Sequence, residues 1–296
     1  MVGRTVLITG ATSGIGRATA LGLAAMGAHV AIVGRDPDRT QAAAREIGAA
    51  GGGAVDAFVA DLSSLVEVRR LAGEVLDRLD GPDVLVNNVG GYWHTRHVTV
   101  DGLERTFALN HLAPFLLTDL LLERLRTRSG ARVVTVASGA HTLGHIDFDD
   151  LQGQRAYSGQ RAYNQSKLAN VLFTHELARR LVGSSVTANA LHPGVVRTSF
   201  GADDPGVLQR WFVPFIRPFL KSPAQGAATS IHLASSPAVE GISGSYFAGG
   251  KPKRSSGARR DEAVAARLWR VSAELVGVAA SAALDPAAPP PTTTTS

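Results

Sequence analysis

The chain has 296 residues, a net charge of +5, 45% hydrophobic and 19% charged side chains, and no cysteine. That length suits one large α/β unit with a sizeable core, and the missing cysteine excludes disulfide frames, thiol nucleophiles and cysteine-based metal sites. No run of about 18 uncharged apolar residues announces a membrane span, and "MVGRTVLITG" enters an apolar strand without a basic leader, so a cytoplasmic protein is expected.

In chain order, short β-branched runs alternate with longer Ala/Leu/Arg segments. "TVLIT" (5–9), "HVAIV" (29–33), "AVDAFV" (54–59), "DVLVN" (83–87), "ARVVTVA" (131–137) and "SVTANAL" (185–191) read as buried strands. Helical stretches lie near 14–26, 37–50, 63–79, 101–127, 160–182 and 224–235. Strand then helix, repeated, predicts an α/β fold: a Rossmann-like, doubly wound parallel sheet with helices on both faces. "GSYFAGG" (244–250) offers a seventh strand, and "DEAVAARLWRVSAELVG" (261–277) is an amphipathic helix.

Residues 1–277 are expected to form one domain, followed by an Ala/Pro/Thr-rich disordered tail over 278–296. The stretch 198–225 breaks the pattern: within it "FGADDPGVLQRWFVPFIRPFLK" (200–221) has three prolines and carries Trp211, Phe212, Phe215 and Phe219. It reads either as an aperiodic core segment or, preferably, as a lid over an apolar pocket to which Tyr92 and Trp93 would add. Arg and Lys are dense only in "KPKRSSGARR" (251–260), read as a solvated loop rather than a nucleic-acid or membrane contact.

The first helix is entered through "LITGATSGIGRATALGL", with Gly10, Gly14 and Gly16 spaced G-x-x-x-G-x-G. Glycine lets the backbone turn sharply and approach a ligand, and exposed helix N–H groups can then meet a pyrophosphate. Tight turns need glycine anyway; the position between strand one and helix one is what points to a dinucleotide. No G-K-[ST] follows, which excludes a nucleotide-hydrolysing P-loop. At the end of strand two an NAD enzyme needs an acid for the ribose 2′-OH, whereas NADP enzymes offer arginine. "IVGRDPDR" places Gly34 and Arg35 there, and Arg17 is a second candidate for a 2′-phosphate. Asp36 either faces the ribose or, before Pro37, caps the next helix, its commoner role. NADP(H) is therefore preferred over NAD(H).

"AYNQSKLAN" (162–170) sets Tyr163 and Lys167 one helical turn apart, on one face. With "TGATSGIG" (9–16), "NNVG" (87–90), "LNHLAPFLLT" (109–118), "VTVAS" (134–138), "YNQSK" (163–167) and "HPGVVRT" (192–198), the chain resembles the short-chain dehydrogenase/reductase family from about residue 3 to about 276. Within it the chain is most similar to the retinol-dehydrogenase-like branch, through "DFDDLQ" (147–152), "SKLANVLF" (166–173) and "FAGGKP" (247–252). Val89 departs from the family's usual alanine.

The resemblance implies a catalytic set of Asn110, Ser138, Tyr163 and Lys167. It also implies coenzyme contacts from Gly10, Thr12, Ser13, Gly14, Ile15, Gly16, Arg17, Arg35, Asp61, Leu62, Asn88 and Gly90. Tyr163, Lys167, Pro193, Gly194, Val196 and Thr198 complete that set. The residue chemistry agrees. A phenol titrates near pH ~10, but a cation within ~4–6 Å favours its charged form by ~1–3 pKa units. Lys167, aided by an oxidised nicotinamide, is thus expected to bring Tyr163 into general acid/base range. Tyr157 has Arg161 at the same spacing, and guanidinium is no equivalent of an ammonium. Ser138, at a strand end, either orients a substrate oxygen or caps a turn. Asn110 in a helix interior either distorts its helix and holds a water in a relay to lysine, as in the family, or is simply buried. Asp61 either bonds adenine, the preferred reading, or caps the next helix.

The His pairs at 94/97 and 141/145 lack matching carboxylates, and "HELAR" has Arg179 where a zinc-protease helix needs histidine, so no metal is expected. Ser138 lacks the glycine two residues earlier that a serine hydrolase elbow requires. Two classes remain: an oxidoreductase acting on an apolar carbonyl or alcohol, or a nucleotide-binding sensor or scaffold. The complete quartet favours the enzyme, and the resemblance implies a homo-oligomer.

Overall fold

The computed structural model describes residues 1–51, 53–79, 81–196, 221–253 and 261–278. Thr198, the aromatic segment carrying Trp211, Phe212, Phe215 and Phe219, the basic residues 254–260 and the tail from 279 lie outside the described residues.

Among the described residues, eight strands form one sheet in the order β3-β2-β1-β4-β5-β6-β7-β8. They are β1 (Thr5–Thr9), β2 (His29–Gly34), β3 (Val55–Val59), β4 (Val84–Asn87), β5 (Arg132–Val136), β6 (Thr187–His192), β7 (Tyr246–Ala248) and β8 (Lys251–Lys253). All neighbours pair parallel except β7 with β8. The chain reverses direction across the sheet between β1 and β4, the crevice at which open α/β sheets bind ligands.

Helices α1 (Gly14–Ala25), α2 (Pro37–Gly51) and α3 (Leu65–Leu79) follow the first three strands. After β4 come α4 (Arg105–Phe107), a π-helical turn (Ala108–Leu112) and α5 (Ala113–Arg126); after β5, α6 (Gly159–Arg180); after β6, α7 (Pro223–Ser235); and last α8 (Glu262–Val276). Strand side chains alternate between faces, and both faces are covered, so the strands read as unbroken apolar runs. Val6, Ile8, Val30, Ile32, Val84 and Val86 join Leu23, Ile47 and Leu233 in one core layer. Leu7, Val33 and Leu85 join Leu71, Phe115, Leu172 and Trp269 in the other.

Two expectations change. The seventh strand stops at Ala248, because Gly249 and Gly250, with φ of 61° and 72°, make a two-residue turn into β8. Consecutive positive φ values are what a tight hairpin needs, so part of the anticipated basic loop is an exposed edge strand. The helix expected over 101–127 begins only at Arg105, where buried Glu104 accepts hydrogen bonds from the amides of Thr106 (2.8 Å) and Phe107 (2.7 Å). It then widens into the π turn that contains Asn110.

Candidate active site

The glycine-rich turn is held from behind by Asn88. Its Nδ2 donates to the carbonyls of Thr9 (2.8 Å) and Gly10 (3.2 Å), while the amides of Asn88 and Val89 both donate to Thr9 Oγ1 at 3.0 Å. Gly10 and Gly14 need positive φ, 65° and 57°. A Cβ on Gly16 would stand 2.4 Å from Asn88 Nδ2 and from the Gly10 carbonyl. This packing leaves the first turn of α1 at the β1–β4 crevice, with Ser13 as its N-cap residue. Glycine is thus structurally required here, and the resulting cradle fits a pyrophosphate. Ile15 and Val196 both pack against Gly226 of α7, which brings the stretch after Pro193 and Gly194 beside that turn. Gly194 has a φ of 91° and Val196 bridges to Lys221.

At the tip of β2, Gly34 has no room for a side chain: a Cβ would lie 2.3 Å from both Thr12 Cγ2 and Thr40 Oγ1. Asp36 caps α2, its Oδ1 accepting the Arg39 amide at 2.9 Å, so of its two readings the cap is the one seen. Asp61 Oδ1 accepts from the Ser63 amide (3.0 Å) and hydroxyl (2.8 Å), a turn-capping arrangement. Leu62 beside it is buried. Arg35 is exposed, and Arg17 pairs with Glu46.

The predicted catalytic residues converge at the C-terminal ends of β4 and β5. Asn110 is fully buried, and the π turn aims its amide back at the loop after β4. Its Oδ1 accepts from the Gly91 amide (2.7 Å), and its Nδ2 donates to the Gly91 carbonyl and to Ser166 Oγ, both at 3.0 Å. Ser166 Oγ in turn donates to the Tyr163 carbonyl at 2.8 Å. Asparagine therefore holds the turn of α6 that presents tyrosine and lysine. Gly90 makes room for this meeting, since a Cβ there would lie 3.2 Å from Asn110 Oδ1 and 3.3 Å from Lys167 Nζ. Lys167 Nζ donates to the Val136 carbonyl at 3.2 Å. Ser138 caps the turn after β5, accepting from the Ala140 amide at 3.2 Å, and also hydrogen-bonds Tyr163. Of the two readings of Ser138, the turn cap is the one seen, in a hydroxyl that also meets Tyr163.

Burial dominates the electrostatics of Tyr163 and Lys167. Burial pushes the Tyr163 phenol up, with the Ser138 hydrogen bond pulling the other way. The Lys167 ammonium sits 5.7 Å from the ring centroid, and burial lowers the lysine itself from 10.5 to about 8. In a dry pocket each ion bears a desolvation cost, and for both groups that cost is the leading effect. Tyr157 serves the architecture instead: its hydroxyl donates to Glu104 Oε1 (3.2 Å), and burial pushes it up to about 12.

Tyr92 packs edge-on against Tyr163 with centroids 5.9 Å apart, while Trp93 is buried. The sequence reading missed Gly91 and Ser166, which anchor Asn110, and His192, whose Nδ1 accepts the Gly139 amide at 3.0 Å. None carries a pattern by which a single sequence could reveal it; each acts through the fold. Among the described residues no helix is long and apolar enough to cross a membrane.

Residues 4–205 match the family model described as short chain dehydrogenase. Human retinol dehydrogenase 14 is 44% identical, with 94% of this chain and 88% of that protein covered. A Streptomyces sp. (strain C5) protein provisionally named as a daunorubicin C-13 ketoreductase is 46% identical over 93% of each. Among solved structures, a short chain dehydrogenase from Burkholderia cenocepacia in complex with NADP superposes with a TM-score of 0.67 at 29% identity, covering 83% of this chain and 96% of that one.

Proposed function

We propose, from the premise that this chain belongs to the short-chain dehydrogenase family, that it is an NADP(H)-dependent oxidoreductase acting on an apolar carbonyl or alcohol, with Tyr163 as general acid/base. Bound coenzyme supplies the hydride, and in its oxidised form a positive ring. The observation that carries the reading is the buried quartet: Ser138 hydrogen-bonded to Tyr163, and Asn110 tied through Ser166 to the helix turn bearing Tyr163 and Lys167. A pure nucleotide binder needs no such arrangement around a phenol.

Ser138 holds the substrate oxygen beside the tyrosine hydroxyl, so that one proton can pass between them within hydrogen-bond reach. Lys167, with a pKa near 8, can hold ribose hydroxyls as cation or exchange a proton near neutrality. Gly34, Arg17 and Arg35 support NADP(H): β2 ends on glycine rather than an acid, Asp36 is engaged as the cap of α2, and guanidinium groups suit a 2′-phosphate. Adenine contact by Asp61 and closure of an aromatic lid over 198–225 belong to the same reading, as does a cytoplasmic setting. The substrate class rests on Tyr92 and Trp93 and on the retinol dehydrogenase and ketoreductase relatives.

The test is loss of NADPH absorbance across a panel of apolar ketones and aldehydes, parent against Tyr163→Phe. The parent should turn over at least one of them, and the variant should retain NADPH binding while losing about 10²–10⁴ in kcat. Tight NADPH binding with no turnover of any panel member would favour a sensor instead.

A further inference from the structure

We propose that Glu46 sets coenzyme selectivity by competing with a 2′-phosphate for Arg17; this rests on the dinucleotide reading above. A shallow recess of about 220 Å³ opens beside the glycine-rich turn, lined by Thr12, Arg17, Arg39, Ala42, Ala43 and Glu46. Thr12 is also the side chain that closes off Gly34 at the tip of β2, so the recess lies where an adenosine ribose would end. It holds two guanidinium groups and one carboxylate. Glu46 is ion-paired with Arg17, both about half exposed. Arg17 Nε is nonetheless buried with no hydrogen-bond partner among the described residues. Arg39 makes no ion pair among the described residues.

A phosphate monoester, with nearly two negative charges and three acceptor oxygens, suits a pair of guanidinium forks. Glu46 opposes it twice, by occupying Arg17 and by placing a like charge at the rim. A plain 2′-hydroxyl meets neither obstacle and can donate to the carboxylate. Glu46 therefore narrows the preference for NADP(H), and Arg39 widens it.

The test measures Kd for NADPH and NADH by fluorescence titration in the parent, Glu46→Gln and Arg39→Gln. Glu46→Gln should tighten NADPH about three- to tenfold, the scale of an exposed ion pair plus one screened repulsion, with NADH unchanged or weaker. Arg39→Gln should weaken NADPH by a similar factor and spare NADH. NADPH affinity unmoved by Glu46→Gln, or both coenzymes tightened alike, would overturn the role of Glu46 alone. A parent that binds neither coenzyme would remove the proposed function along with it.

Discussion

Lys167 illustrates at the scale of one residue how a site is held against its own stability. The ammonium is almost wholly buried, one hydrogen bond joins it to the Val136 carbonyl, and no carboxylate pairs with it among the described residues. Its pKa in the folded chain, about 8, lies below the ordinary 10.5. The unfolded chain therefore binds more protons between those values, and folding stability rises with pH across that window. Below about pH 8 the whole penalty is present. Each pKa unit is worth about 1.4 kcal/mol, so the shift corresponds to on the order of 3 kcal/mol. Lys167→Met should accordingly be more stable than the parent at pH 7 by about 1–3 kcal/mol, while losing activity. The margin should shrink as pH rises from 8 toward 10.5. Urea denaturation at a series of pH values reads this directly, and a margin that does not change with pH would refute it. Such an exchange of stability for function is common at active sites.

The π turn Ala108–Leu112 is the element in which sequence and structure diverge most. Its consecutive residues face opposite ways: Asn110 toward Gly91 and Ser166, His111 toward α8, where its Nε2 lies 2.8 Å from Ser272 Oγ. An extra residue in the turn lets both neighbours point inward. The asparagine was legible as an unusual residue for a helix interior, and the family resemblance implied a distorted helix there; the residues of "FALNHLAPF" alone do not distinguish the widened turn from a regular helix. Strand and helix order were legible because buried parallel strands are continuous apolar runs. The β7–β8 hairpin was missed because its glycine pair was counted as strand. The pairing of Arg17 with Glu46, 29 positions apart, has no local signature at all. His111 sits among Phe107, Phe115 and Phe173, and burial lowers it from 6.5 to about 4. The unfolded chain then takes up the proton first, so stability falls as pH drops through that interval and the full penalty is reached below about 4. His111→Gln should start less stable at neutral pH yet show a flatter loss of stability from pH 6.5 to 4. Equal slopes for parent and variant would show that His111 does not titrate in this way.

For the whole molecule, helix α8 decides whether the half of the sheet that carries the candidate site is closed from behind. Helix α8 lays Ala265, Leu268, Trp269, Ala273 and Val276 against α5 and α6. Trp269 stacks on Phe173 with centroids 5.8 Å apart and meets Phe115 edge-on at 4.9 Å, while the Arg180 guanidinium covers it at 4.7 Å. These contacts join residues close in space but far apart in the chain; the His111–Ser272 pair spans 161 positions. Truncating one large buried aromatic typically costs about 3–5 kcal/mol, and a domain of this kind has only about 5–15 kcal/mol in total. Trp269→Ala should therefore leave a folded but weakened protein, with a clearly lower melting temperature. Removing everything from Asp261 onward strips all five side chains at once and bares Phe115, Phe173 and His111 directly behind Asn110. That truncated chain should fail to give a soluble, cooperatively melting protein, and any soluble fraction should bind the dye ANS strongly and lack turnover. If it instead melted like the parent and kept its activity, α8 would be an appendage, and the sheet would hold the Asn110 turn in place unaided.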